Sequence, residues 1–235
     1  MGYDRRERKE VEWIPKTELG KKVKAGEVTD INTVLDKHIP IREQQITELL
    51  IPNLTVDFIL VGQAKGKFGG GQRRIFRVSQ KKTSEGNRPT FLTFAVVGNN
   101  DGIVGFGVGR AAETVPARNK AVENAKKNLL KIKRGCGSWE CGCGEPHSIP
   151  YSVTGRCSSV TITLYPAPKG IGLCVTDECK KILKLAGIKD VWSRTTGKTS
   201  SRMNLIKALF DALKNLSKYH VQEKYASKIV DGVKR

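Results

Sequence analysis

The stretch Gly98-Asn-Asn-Asp-Gly-Ile-Val-Gly-Phe-Gly-Val-Gly-Arg110, with Glu113-Thr-Val-Pro116 close behind it, decides the fold of this chain. Residues 98–102 have the composition of a turn and 103–108 that of a strand. Side chains alternate across a strand, so glycines at 105, 107 and 109 clear one face for close approach by a helix or by RNA. The run resembles a dinucleotide fingerprint but misses it, because G-x-G-x-x-G needs glycine where Arg110 stands. A helix is expected to begin near Thr114, with Pro116 suited to its first turn. If that helix continues to Arg134, Ala121, Ala125, Leu129 and Ile132 form its apolar stripe. Lys120, Lys127, Lys131 and Arg134, spaced by seven, four and three, then share another face, which with Arg110 is expected to contact RNA.

Upstream, residues 91–97 predict one strand. Residues 54–61 and 73–79 predict two more, read as a hairpin around the overlong tip Gly62-Gln-Ala-Lys-Gly-Lys-Phe-Gly-Gly-Gly-Gln72. Between Val61 and Thr90 there are eight basic residues and a single acid, Glu85. Glycines let backbone N–H groups approach phosphates. Gly69, Gly70, Gly71 and Gln72 are therefore expected to meet RNA, with Lys65, Lys67, Arg73, Arg74 and Arg77 supplying charge and Phe68 a stacking ring. Two short helices are expected at 32–37 and 42–50, and residues 1–12 read as a frayed tail. Downstream, 158–165 and 190–194 predict strands. A helix is capped by Thr176 and stopped by Gly187, and another covers 202–217. The chain divides into an N-terminal extension (1–53), a sheet-and-helix unit (54–134), a Cys-rich insert (135–150), a βαβα unit (151–217) and a basic tail (218–235). The whole is α+β.

Composition narrows the function. The 235 residues carry 42 Lys and Arg against 23 Asp and Glu, a net +19, which calls for a polyanionic partner. No apolar run approaches the ~18 residues of a membrane span, and the first residues lack a signal peptide's apolar core, so nucleic acid is favoured over membrane. Gly197-Lys-Thr199 lacks the upstream glycine of a P-loop, since Trp192 stands there. It belongs instead to a basic polar loop in which Arg194 and Lys198 are placed to contact phosphate. Cys136, Cys141, Cys143 and His147 put four soft ligands within twelve residues, among glycines that let a short loop wrap a tetrahedral ion. Three thiolates and an imidazole suit zinc. Cys174 and Cys179 read as core residues, and Cys157 as a substitute ligand. No Ser, His and Asp set or carboxylate pair stands out, so neither an enzyme nor a small-molecule substrate is expected.

These residues bring the chain close to a known family. The 98–110 run with Glu113-Thr-Val-Pro116, then Gly71-Gln-Arg-Arg-Ile-Phe76, Pro166-Ala-Pro-Lys-Gly-Ile-Gly172, Leu185-Ala-Gly-Ile188 and Phe210-Asp-Ala-Leu213, resembles small-subunit ribosomal protein five. Glu12-Trp-Ile-Pro-Lys-Thr-Glu-Leu-Gly20 is similar to its archaeal and eukaryotic branch. The resemblance implies a double-stranded-RNA-binding-like domain followed by a βαβα domain. It also implies small-subunit rRNA as partner, a place on the cytoplasmic ribosome near the messenger RNA entry path, contacts with ribosomal proteins four and eight, and an influence on translational accuracy. Gly172 and Lys180 match positions that face protein four. The alternative classes are a non-ribosomal double-stranded-RNA-binding regulator and a nucleic-acid-modifying zinc enzyme. The second would need a glutamate beside the cysteines at a spacing that Glu140 and Glu145 do not provide.

Overall fold

Three short helices, α1 (Glu18–Lys24), α2 (Ile31–Asp36) and α3 (Gln44–Leu50), form an N-terminal layer in the computed structural model, which describes residues 13–63, 73–219 and 229–231. The tail expected at 1–12 and the glycine-rich tip at 64–72 lie outside the described residues. The second and third helices were legible in the sequence; α1 was not, being short and lysine-rich. It is anchored by its Thr17 cap, whose hydroxyl accepts from Gly20 N at 3.1 Å. Glu43 accepts from Trp13 Nε1 (2.8 Å), Lys16 N (3.1 Å) and Thr17 N (2.7 Å). Burial acts to raise its carboxyl pKa, but these hydrogen bonds outweigh it and hold the group below its ordinary value. Val23, Ile31, Val34, Ile41 and Ile46 pack this layer against Ile103.

The first sheet contains β1 (Thr55–Phe58), β2 (Arg77–Thr83), β3 (Gly86–Gly98), β4 (Ile103–Ala111) and β5 (Leu129–Lys131). Here the expected hairpin is corrected. β1 does not pair with β2. β3 is long enough to pair with both along the same edge, Thr55 through Phe58 with Gly98 through Ala95, and Arg77 through Thr83 with Leu92 through Gly86. The hairpin is β2–β3, and the glycine-rich segment links two collinear strands.

The helix after β4, α4 (Thr114–Lys127), lies on the glycine face of that strand. A Cβ at Gly105 would sit 2.4 Å from Ala125 O, one at Gly107 2.1 Å from Ala121 O, and one at Gly109 2.0 Å from Ala117 O. The cleared face therefore receives a helix rather than RNA, along a groove matched to Ala117, Ala121 and Ala125. The helix also ends earlier than expected. Asn128 leaves it, and Leu129–Lys131 pairs as β5 with Ile103–Gly105. Unpaired backbone groups along the β4 edge outweigh helix propensity in that run. Leu129, Ile132, Lys131 and Arg134 consequently share no helix face with the residues before them.

The second sheet has the order β7 (Val153–Cys157), β8 (Val160–Pro166), β10 (Val191–Thr196), β9 (Leu173–Cys174), with β10 antiparallel to β8 and parallel to β9. It is covered by α5 (Asp177–Leu185) and α6 (Arg202–Lys218). The leading strand β7 was not foreseen. Nor was the pairing of β6 (Lys133–Gly135) with β11 (Ile229–Asp231), which puts a strand in the segment read as a basic tail. Thr176 stands at the N-cap of α5 as expected, but its side chain makes no capping bond. Cys179 is buried, whereas Cys174 is exposed and is not a core residue, because β9 is only two residues long and lies at the sheet edge.

The face of the first sheet opposite α4 packs onto the second unit. Phe94 stacks on Phe106 at 5.6 Å, and Phe106 on Phe210 of α6 at 4.8 Å. The 98–102 turn docks on the end of α5, with Asn100 N donating to Leu185 O (3.0 Å) and Gly102 N to Ala186 O (3.1 Å). Glu178 accepts from Leu60 N at 3.0 Å while pairing with Arg202 at 3.1 Å, and Arg202 also donates to Leu60 O. One apolar core runs through both sheets.

Candidate functional site

Two clusters hold most of the described site candidates. The first surrounds the start of α6. Arg73, far from the 195–202 loop in sequence, lines a groove of about 470 Å³ with Thr195, Thr199, Ser200 and Arg202. Lys198 is exposed in the same loop, whereas Arg194, one position before Thr195 on β10, is exposed on the opposite face of the sheet. Arg77 reaches the same helix, its Nη1 standing 3.5 Å from Met203 Sδ. Arg77 and Arg110 flank Leu92 on one row across β2, β3 and β4, so all three side chains share a face. Arg74 is exposed at the foot of the glycine-rich segment. The other residues named there, Lys65, Lys67, Phe68, Gly69, Gly70, Gly71 and Gln72, lie outside the described residues.

The expected cationic helix face is not assembled. Lys120 is exposed on α4 and Lys127 half-buried at its end. Lys131 instead pairs with Asp36 at 2.8 Å, and the buried Arg134 pairs with Asp101. These two cations brace the N-terminal layer and the domain junction.

The second cluster is the Cys-rich loop. Ligand atoms of Cys136, Cys141, Cys143 and His147 all lie within 4.8 Å of one another, and Cys141 Sγ is 3.8 Å from His147 Nε2. A tetrahedral zinc with thiolates at about 2.3 Å needs ligand separations of about 3.8 Å, so the set fits a metal ion with a small contraction. Cys157 lies outside this group. The thiols are already differentiated. N–H groups of Cys143 and Lys169 pull Cys141 down to about 6, while burial, then the neighbouring thiols, push Cys136 up to about 11. His147 is buried and its Nδ1 is 2.8 Å from Asp190 Oδ2, which leaves Nε2 for the thiol side. Asp190 went unnoticed in the sequence because nothing local marks a partner 43 residues away. Trp139 was equally overlooked, though visible between two ligands. It is 90% exposed on the turn closed by Cys141 N to Ser138 O at 3.3 Å.

Gly172 and Lys180 meet in a cleft of about 730 Å³ between the two units, whose walls include His147, Asn100 and Lys184. Gly172 has φ of +79° and open space where a Cβ would be, and Lys180 is 3.6 Å from Asp177.

Comparison with known proteins fits this geometry. The family description "Ribosomal protein S5, N-terminal domain" matches residues 73–133, and "Ribosomal protein S5, C-terminal domain" matches 155–226. The chain is 51% identical over 211 residues to "Small ribosomal subunit protein uS5" of Nanoarchaeum equitans, covering 90% of each chain. It is 45% identical over 223 residues to the protein of the same name from Methanocaldococcus jannaschii, covering 94% of this chain and 96% of that one. With the Staphylothermus marinus protein it shares 44% identity over 207 residues. The chain belongs to the ribosomal protein S5 family, in its archaeal type. The two matched segments fall on the two sheet-and-helix units, without β1 in the first, and the Cys-rich loop lies between them.

Proposed function

We propose that this chain is a structural constituent of the small ribosomal subunit, working in the cytoplasmic ribosome, and that it holds rRNA chiefly through the cationic rim around the start of α6. The observation that carries the reading is the approach of Arg73 and Arg77, from the first matched segment, to the start of α6 in the second, where Arg202 is paired with Glu178 and Lys198 lies exposed in the preceding loop. Phosphate contacts of this kind position a protein on folded RNA without reading its sequence. Lys65, Lys67 and Phe68 of the glycine-rich segment add RNA contacts of their own, and Arg110, Lys120 and Trp139 supply outlying ones.

The cleft that holds Gly172 and Lys180 is the surface offered to ribosomal protein four, with protein eight as a further neighbour and the messenger RNA entry path close by. Weakening a contact there would shift the open–closed balance of the subunit and so its accuracy. The Cys136, Cys141, Cys143 and His147 set holds zinc as a structural ion, closed to catalysis by its four protein ligands.

The test is rRNA binding by Arg73→Ala, Arg77→Ala and Lys198→Ala combined. The expected result is weaker binding, with the log–log salt dependence shallower by about 2–3 units, near one per lost charge. An unchanged slope would remove this rim from the interface. Elemental analysis should return about one zinc per chain, lost on Cys141→Ser with Cys143→Ser.

A further inference from the structure

The cluster of Cys136, Cys141, Cys143 and His147 is tied to the 170–172 turn by a buried carboxylate. His147 and Asp190 are each 4% exposed. The Nδ1 of His147 meets Asp190 Oδ2 at 2.8 Å, and the other oxygen, Oδ1, accepts from Gly170 N at 3.1 Å and Gly172 N at 2.8 Å. The backbone repeats the connection. Lys189 N and Asp190 N both donate to His147 O, at 2.8 and 3.1 Å, and Val191 N donates to Gly172 O at 3.1 Å. Gly170 and Gly172 both have positive φ, +98° and +79°. The turn is thus held in a conformation that most residues avoid, by a carboxylate whose second oxygen is committed to the histidine.

We propose that Asp190 is a positioning residue that couples occupancy of the metal site to the shape of the 170–172 turn, and so to the wall of the cleft formed by Gly172. The inference rests on the zinc reading given above. An ion at the three thiols and His147 Nε2 requires that nitrogen to be unprotonated, which places the ring proton on Nδ1 and aims it at Asp190. The carboxylate is then fixed in rotation, and its Oδ1 stays aligned with both glycine amides. Without the ion, the imidazole is free to change tautomer or rotate. Asp190 then loses the partner that fixes it, and the two amides lose a fixed acceptor. Among the described residues no other carboxylate accepts from the Gly170 and Gly172 amides, so Asp190 carries the side-chain part of the coupling, beside the backbone links and the Lys169 N–H at Cys141.

The experiment uses the full-length chain, loaded with zinc and then stripped with a chelator. Hydrogen–deuterium exchange is followed in the 167–173 peptide, with a peptide from the buried part of α6 as reference. Stripping should speed exchange at 167–173 and leave α6 unchanged, and adding zinc back should reverse it. In Asp190→Asn the side-chain oxygen can still accept from the glycines, but no acceptor remains for the histidine. Zinc affinity should then fall by about 10- to 100-fold, as for other residues that orient a metal-bound histidine. Exchange of the Gly170 and Gly172 amides should also no longer respond to zinc. A merely structural Asp190 would give the same exchange with and without metal in the parent chain, and that result overturns the inference. Unchanged zinc affinity in Asp190→Asn overturns it as well. If the variant does not fold, the parent's response to stripping decides alone. Zinc that binds without moving the 167–173 peptide sinks only this inference, whereas a chain that takes up no zinc sinks the zinc reading with it.

Discussion

The two sheet-and-helix units solve the same packing problem in different ways. In the first, α4 contributes only Ala117, Ala121 and Ala125 to the interior, and it touches the sheet backbone to backbone through Gly105, Gly107 and Gly109. In the second, α6 buries Leu205, Ile206, Leu209, Leu213 and Leu216, and shares the close glycine contact at Gly155 alone, where a Cβ would stand 2.1 Å from Ala208 O. The first helix is held by shape, the second mainly by apolar area. A helix that needs only a thin alanine seam keeps its outer face polar, while α6, wedged between two sheets, is half-buried at its start and leaves only Lys207, Lys214, Ser217 and Lys218 exposed.

The largest expected effect comes from attacking the seam. Gly107→Ala puts a methyl group 2.1–2.2 Å from helix backbone atoms that Gly105 and Gly109 also pin, so the helix cannot yield locally. A loss on the order of 4 kcal/mol or more is expected in urea denaturation. A loss under about 1 kcal/mol would mean that the seam is not what holds α4. The next largest comes from Leu209→Ala in α6, about 3 kcal/mol of lost burial and residual cavity. It should loosen both units together, because the core they share is continuous, and separate unfolding transitions would contradict that continuity. The smallest is Lys120→Ala on the outer face of α4, which should change stability by no more than about 0.5 kcal/mol. A larger loss there would show that the face is held by more than its alanines.

Much of this was legible in the chain itself. The alternating glycines followed by a helix start marked the β4–α4 unit, since strand alternation has a range of a few residues. The cluster of three cysteines and a histidine was legible for the same reason, all four falling within one short loop. What failed were inferences that extend a local pattern past a competing partner. The run after Lys127 has helical spacing, yet the open edge of β4 takes it as a strand. Two hydrophobic runs around a glycine-rich segment look like a hairpin, yet the length of β3 lets both lie on its edge.

The sequence by itself determined the chain's sign of charge, its fold class, the glycine and alanine spacings that set one helix on one sheet, and the clustering of three cysteines and a histidine. Each depends on residue type and near-neighbour spacing. Only the tertiary structure decided which cations are drawn into ion pairs with distant acids. Lys131 and Arg134 are taken up by Asp36 and Asp101, 95 and 33 residues away, and Arg73 is carried to the α6 loop. It also decided that Asp190 stands between that cluster and the 170–172 turn. Ion pairs and buried hydrogen bonds act over a few ångströms of space, and no spacing along the chain encodes which distant residue will fill that space.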